Sequence, residues 1–459
     1  MIEGRDLSMK NARALAVEAL VKVERAKAYS NLTLDQLLEQ EGTTRSQDPH
    51  WRAESAFAST LFYGVLERKL TLDAYIQKYA ARGLSGMACE VLQILRISFY
   101  QLLYMENIPE SAVVNEAVKL TRAFKQPKAS GFVNGMLRAF LRDGRELPHY
   151  KDPLKELSIR FSLPQWILRD WRKTYGAQET EKMAAAFLEP SPLFARVNPL
   201  KNTPEELEAL LREQLSGEDA ENIALDANIP GCIRMSGVGS VRRIPAFGEG
   251  RFHVQDKSSQ LCALALGAKP GERVLDLCAA PGGKTFTIAE TMNGEGRVDS
   301  SDLYEQRVKL IADGAKRLGL TNVHTQVGDA LKPVEETEIY DRVLCDVPCS
   351  GIGILGRKPE IRYKDPKEFH DLPGIQYQIL ENAAKLLKAG GTLVYSTCTL
   401  RQEENHQVTE KFLKAHPEFR IVPLPESCGT FGGMDGELTL LPHKYGTDGF
   451  YICRMQKTK

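Results

Sequence analysis

The 459-residue chain carries no net charge of either sign, because 60 lysines and arginines balance 60 aspartates and glutamates. A global field drawing the protein to a polyanion is therefore excluded, and any contact with nucleic acid must come from local patches. Apolar runs are short: none approaches the roughly 20 residues a membrane helix requires, and the N-terminus lacks the apolar core of a secretory signal. No membrane association is expected. Nine cysteines, odd in number and without framework spacing, argue against a secreted disulfide scaffold and for a reducing, cytoplasmic setting where thiols stay free. No paired C-x-x-C and no histidine beside the cysteines completes a zinc site, so no metal is expected. Internal repeats and low-complexity segments are absent too. At the start, Ile2-Glu3-Gly4-Arg5 reads as a protease-cleavage linker with Met9 as the natural start.

The length implies about three domains of ~150 residues. From Asn11 to about Arg142 apolar residues recur at helical spacing, as in Leu15, Ala19, Leu20 and Val23, so residues 9–150 are read as an all-α domain. Within it Lys119, Arg122, Lys125 and Lys128 precede Arg138, Arg142 and Arg145, a cluster that either pairs with phosphates or is a solvated helix face. Residues 151–190, with Trp166 and Trp171, read as a helical linker. Residues 191–257 read as a small α/β (RRM-like) domain: strands at 194–198, 232–235 and 252–254, and a helix capped by Thr203. From 258 to 459 strands alternate with helices, the pattern of a Rossmann-like, mostly parallel, doubly wound sheet whose ligands collect beyond the carboxyl ends of the strands.

The motifs fall at those ends. Asp276-Leu277-Cys278-Ala279-Ala280-Pro281-Gly282-Gly283-Lys284-Thr285 joins the first strand to its helix, and its small residues let a ligand lie against the backbone. Gly283-Lys284-Thr285 resembles the end of a phosphate-binding P-loop, but Cys278 stands where that motif wants glycine, and no G-x-G-x-x-G run supports a nicotinamide site. Asp302 follows the second strand, where a carboxylate accepts ribose hydroxyls. Arg307 is placed to flank an adenine, and Asp329 to reach its amino group. Each acid alone is most often a helix cap; together they outline a nucleoside pocket, with S-adenosylmethionine as one candidate among adenosine cofactors.

Cys349, in Asp346-Val347-Pro348-Cys349-Ser350-Gly351, and Cys398, in Tyr395-Ser396-Thr397-Cys398-Thr399-Leu400, each close a strand and enter a polar loop. A thiol can add to an electron-poor ring carbon and leave again, as a pyrimidine requires before its neighbouring carbon accepts an alkyl group. That chemistry points to methylation of cytosine. Lys284, Arg357 and Lys358 are candidate cations for lowering a thiol pKa, and Asp346 is placed to hold or protonate the N3–N4 edge of the base. Cys278 and Cys345 lie in or beside apolar strands and read as packing residues. His406 and Asn405 receive no role.

At these residues the chain resembles the RNA cytosine-C5 methyltransferase family, through the segments 276–285, 346–351 and 395–400, supported by Arg196-Val197-Asn198, Val254-Gln255-Asp256 and residues 357–362. The resemblance implies that Cys398 attacks C6 of the target cytosine, that C5 takes the methyl group from S-adenosyl-L-methionine, and that Cys349 assists proton removal and release. It implies cofactor contacts from Asp276 and the run Cys278 to Lys284, and from Asp302, Asp329 and Asp346, with Lys284 and Asp346 also touching the base. Val347 replaces the family's usual alanine, and Lys257 follows the Val-Gln-Asp segment. The helical region resembles a NusB-type RNA-binding domain. Small-subunit (16S) rRNA is the expected substrate and partner, with the chain acting as a monomer; tRNA methylation, DNA methylation, and an RNA-binding assembly or antitermination factor are the alternatives.

Overall fold

The computed structural model describes residues 11–26, 30–45, 48–215, 218–333 and 337–458. The linker read at residues 2–5 lies outside them. The chain divides into two compact units, one running to Leu188 and including Lys358–Lys364, the other comprising Glu189–Arg357 and Asp365–Lys459.

The first unit is helical: α1 (Ala12–Ala26), α2 (Ser30–Thr44), α3 (Trp51–Tyr79), α4 (Cys89–Tyr104), α5 (Glu110–Ala123), α6 (Ser130–Arg142), α7 (Pro153–Arg160), α8 (Gln165–Tyr175) and α9 (Ala177–Ala186). The apolar spacing dictates the packing. In α6 the residues 133, 136, 137 and 140 repeat at three- and four-residue intervals, and all four are buried on one stripe. Phe140 there meets Phe99 of α4 at 4.6 Å between ring centroids and Tyr75 of α3 at 5.6 Å. Phe140→Ala leaves a cavity among these rings, and we expect it to lower unfolding free energy by about 3–5 kcal/mol in urea titration. Asp152 accepts the Leu154 N–H, and Pro153 opens α7 where its missing N–H costs nothing. The stretch read as a linker thus forms three helices, and fully buried Trp171 stacks on Phe187. Arg362, also fully buried, donates to the carbonyls of Glu67 at 2.8 Å and Phe187 at 3.1 Å, which fastens residues 358–364 into this unit.

The second unit begins with β1 (Leu193–Val197), α10 (Pro204–Gln214), α11 (Glu218–Glu221), β2 (Ile223–Leu225), β3 (Cys232–Met235), α12 (Pro245–Gly248) and β4 (Phe252–Val254). These strands form an antiparallel sheet in the order β2-β3-β1-β4. Thr203 and Glu206 close a capping box on α10. Asp256 then caps α13 (Lys257–Ala265), and β5 (Arg273–Leu277), α14 (Gly283–Thr291), β6 (Arg297–Asp302), α15 (Glu305–Leu318), β7 (Val323–Val327), β8 (Tyr340–Asp346), α16 (Leu372–Leu386), β9 (Leu387–Thr397) and α17 (His406–Ala415) follow. The alternation read from sequence stops there. The structure adds β10 (Phe419–Ile421), β11 (Glu437–Leu440), α18 (Pro442–Tyr445) and β12 (Phe450–Lys457).

The large sheet runs β10-β12-β9-β8-β5-β6-β7, with β11 on β12. Strands β5 to β9 are mutually parallel, and β10 to β12 pair antiparallel. Because β5 has β6 on one side and β8 on the other, the order reverses at β5 and a crevice opens at its carboxyl end.

Candidate active site

The cofactor loop leaves β5 at Asp276, a fully buried carboxylate that accepts the Thr285 hydroxyl at 2.6 Å and has no partner on Oδ1. Burial pushes its pKa up to about 7. The sign of the pH effect follows. Between about pH 4 and 7 the folded protein binds a proton that the unfolded chain has lost, so this group's stabilisation is present below that window and disappears as pH rises through it. Asp276→Asn keeps the acceptor for Thr285 and removes the titration. Its denaturation midpoint should therefore gain on the parent between about pH 4 and 7, and a constant difference would refute the assignment.

Cys278 adopts φ +59°, in the left-handed region, and Gly282 adopts φ +108° where a Cβ would stand 2.5 Å from the Phe286 ring. This turn delivers Gly283 and Lys284 to the start of α14. A cleft of about 170 Å³ results, lined by Gln255, Asp276, Cys278, Ala279, Ala280, Pro281, Gly283, Lys284 and Asp346 among others. Asp302 and Arg307 brace this loop from behind: Asp302 Oδ2 accepts the Ala280 N–H at 3.2 Å and faces Arg307 Nη1 at 3.3 Å, while Arg307 Nη2 donates to the Ala280 carbonyl at 2.8 Å. Asp329 follows β7, accepts the Leu331 N–H at 3.0 Å, and lines a separate cavity of about 340 Å³ with Leu275, Leu277 and Ser301.

The two cysteine loops leave neighbouring parallel strands, β8 and β9, in register at Asp346 and Ser396. That adjacency brings Cys349 Sγ and Cys398 Sγ to 3.2 Å, both as free thiols. The hydrogen bond with Cys398, followed by burial, holds the Cys349 thiol well above its ordinary pKa. Beside them Lys284 Nζ donates to Asp346 Oδ2 at 2.7 Å and the Ser396 hydroxyl to Oδ1 at 2.8 Å. Burial pulls Lys284 down, but the Asp346 carboxylate outweighs it and the net direction is upward, which keeps an ammonium facing a carboxylate. Lys284, which lines the cleft, is thereby tied through Asp346 to the end of β8 that leads into the Cys349 loop.

Other expectations meet different surroundings. Arg357 donates to Asp448 at 2.8 Å and to Asp256 at 2.8 Å, so two carboxylates hold it as a structural strut rather than a bare cation beside a thiol. Lys358 falls in the segment that belongs to the helical unit. Cys345 is fully buried, and burial raises the thiols of both Cys345 and Cys278, as suits packing residues. Val347 fills the apolar core behind the turn, and Lys257 pairs with Asp226 at 2.8 Å. His406 faces Glu437 at 2.6 Å, while Asn405 receives the Thr397 hydroxyl at 2.5 Å and ties the Cys398 loop together. Sequence reasoning missed Gln255 and Glu404. Gln255 lies in a quoted segment and lines the cleft, yet nothing local marks its side chain; Glu404 is one acid in a polar helix approach. In the helical unit Lys119, Arg122, Lys125, Lys128, Arg138 and Arg142 are all exposed, as is Phe132.

Comparison with known proteins decides the family. Residues 263–456 match the family described as 16S rRNA methyltransferase RsmB/F, residues 10–142 the NusB family, and residues 163–237 the ferredoxin-like domain of RsmF/B-like methyltransferases. The probable ribosomal RNA small subunit methyltransferase B of Bacillus subtilis (strain 168) is 39% identical, over 97% of this chain and 99% of its own length. The chain belongs to the ribosomal RNA small subunit methyltransferase B family. A Synechocystis protein of the same description is 35% identical over 98% of this chain and 100% of its own. The crystal structure of PH0851, 26% identical, covers 99% of this chain and 100% of that one with a TM-score of 0.79. As a member of the ribosomal RNA small subunit methyltransferase B family, the protein is an RNA methyltransferase, and its methyl donor is S-adenosyl-L-methionine. The expected helical NusB-like, small α/β and parallel α/β parts are all present. Among the described residues no helix is long and apolar enough to cross a membrane, and no group of three or more His, Cys, Asp or Glu could hold a metal ion.

Proposed function

We propose that this methyltransferase modifies C5 of one cytosine in 16S rRNA through a covalent adduct between Cys398 and C6. The observation that carries the reading is the 3.2 Å approach of two free thiols on the loops that follow Asp346 and Ser396, with Asp346 bound to Lys284 and both of those residues lining the cofactor cleft. The target base must leave its stack to reach this depth. The Asp346 carboxylate, steadied by Lys284 and Ser396, receives the N4 amino edge and orients the ring. The Cys398 thiolate then forms the Sγ–C6 bond, and the displaced electron pair makes C5 nucleophilic. S-adenosyl-L-methionine supplies an electrophilic methyl group to that carbon. Cys349 finally takes the C5 proton while its own proton passes to the departing Cys398 sulfur; the Sγ–C6 bond breaks and the ring regains its double bond. Charge balances, since the sulfonium and the thiolate disappear together.

Cofactor contacts are assigned to Cys278, Ala279, Ala280, Pro281, Gly282, Gly283, Lys284 and Asp346 directly, with Asp302, Arg307 and Asp329 at the nucleoside end. The exposed basic face of the helical unit is assigned to the rRNA backbone. The test is methyl transfer from labelled S-adenosyl-L-methionine to unmethylated small-subunit rRNA, tRNA and DNA in parallel, with bisulfite mapping. A single labelled cytosine in 16S rRNA is expected. Label in tRNA alone would keep the chemistry and overturn the substrate, and no transfer to any of them would overturn the reading.

A further inference from the structure

Glu404 stands six residues beyond Cys398 and is fully buried, yet belongs to neither cysteine motif. Its Oε2 accepts the Ser350 N–H at 2.8 Å and the Gln376 amide at 3.0 Å, and its Oε1 accepts Arg401 Nη1 at 3.2 Å. Gln376 Nε2 also donates to the Pro348 carbonyl at 2.9 Å, so the peptide groups on both sides of Cys349 are held by this carboxylate and its neighbour. The Glu404 carbonyl in turn accepts the Tyr395 hydroxyl at 2.6 Å, and Ser350 and Thr399 exchange a hydroxyl hydrogen bond at 2.8 Å. One buried residue, through its carboxylate on one side and its carbonyl on the other, therefore ties the turn carrying Cys349 to the strand that leads to Cys398. A buried carboxylate is costly unless several donors satisfy it, and here three do, two of them fixed to the catalytic loops. A proton passing between two sulfurs tolerates little change in their separation, which gives so expensive a tether a use.

We propose that Glu404 is a positioning residue for Cys349: through Ser350 and Gln376 it holds the Pro348–Ser350 turn so that the Cys349 sulfur serves the release step. The inference rests on the two-thiol reading above. Glu404→Gln retains one acceptor but turns an amino group toward a donor, so the turn shifts while the nucleophile and cofactor cleft remain.

The experiment follows the denaturant-stable protein–RNA adduct on unmethylated small-subunit rRNA, with formation and decay timed separately. For Glu404→Gln we expect adduct formation and the KM for S-adenosyl-L-methionine within about twofold of the parent and adduct decay slowed roughly tenfold or more. Cys349→Ala should accumulate the adduct without releasing it, so Glu404→Gln is expected to act on the same step, in the same direction and to a smaller extent. Gln376→Met removes the second tether without touching the carboxylate and should slow decay in the same direction; it carries the test if Glu404→Gln does not fold. Decay at the parental rate, or adduct formation slowed as much as decay, would overturn the proposal. A parent protein that forms no adduct while it methylates RNA would instead overturn the covalent reading beneath it.

Discussion

Cys398→Ala should abolish both methyl transfer and the covalent protein–RNA complex, whereas Cys349→Ala should form the complex and fail to release it. The asymmetry follows from the roles that the family resemblance assigns to the two sulfurs. At 3.2 Å they share one hydrogen bond, and that bond together with burial pushes the Cys349 thiol up, which suits the proton carrier of the release step. Loss of a covalent nucleophile typically costs about 10³-fold or more in turnover, since the remaining binding groups cannot replace bond formation. Loss of Cys349 leaves addition and alkylation intact but removes the relay that accepts the C5 proton. A gel of labelled rRNA under denaturing conditions separates the two outcomes. Trapping in Cys398→Ala and free turnover in Cys349→Ala would exchange the roles.

Asp346→Ala is expected to lower kcat/KM by about 10²-fold or more, with a smaller effect on folding. Asp346 is the acceptor for both Lys284 and Ser396 and sits where the N4 edge of the base is assigned. Its removal leaves the Lys284 ammonium buried against the Phe450 ring at 5.2 Å without its closest anion. Breaking a buried pair in this one-sided way costs about 3–5 kcal/mol where no water enters, and the cleft relieves part of that. The pH dependence supplies a second readout. In the parent, Asp346 overcomes the burial that lowers Lys284; without it burial dominates and the Lys284 pKa falls. Residual activity in Asp346→Ala should therefore decline at a lower alkaline pH than in the parent. An unchanged alkaline limb, measured on kcat/KM, would count against the pairing.

Much of this site was legible because its residues sit at punctuation points of the chain. Asp276, Asp346 and Cys398 each follow a short apolar run, and an apolar run ended by small or polar residues is how a buried parallel strand reads. The edge strand β7, Val-His-Thr-Gln-Val, carries polar residues on its open side and so lacks that contrast. Strands β10 to β12 escaped because short antiparallel strands between turns follow no helix alternation. Arg357 looked like a free cation since its partners, Asp256 and Asp448, lie about a hundred residues away on either side. Glu404 drew no reading for the same reason: three residues supply its donors, and those from Ser350 and Gln376 are far off in sequence.

What the sequence determined by itself was the order of helical, small α/β and parallel α/β parts, the loop that begins α14, and the identity of the two polar-loop cysteines, because periodicity, caps and turn residues are local properties of the chain. Only the tertiary structure decided that these cysteines meet, that Lys284 is committed to Asp346, and that Asp302 and Arg307 brace the cofactor loop. Those distances are set by which strands lie side by side. The placement of β8 between β5 and β9 comes from burying all of their faces at once, which no single segment encodes.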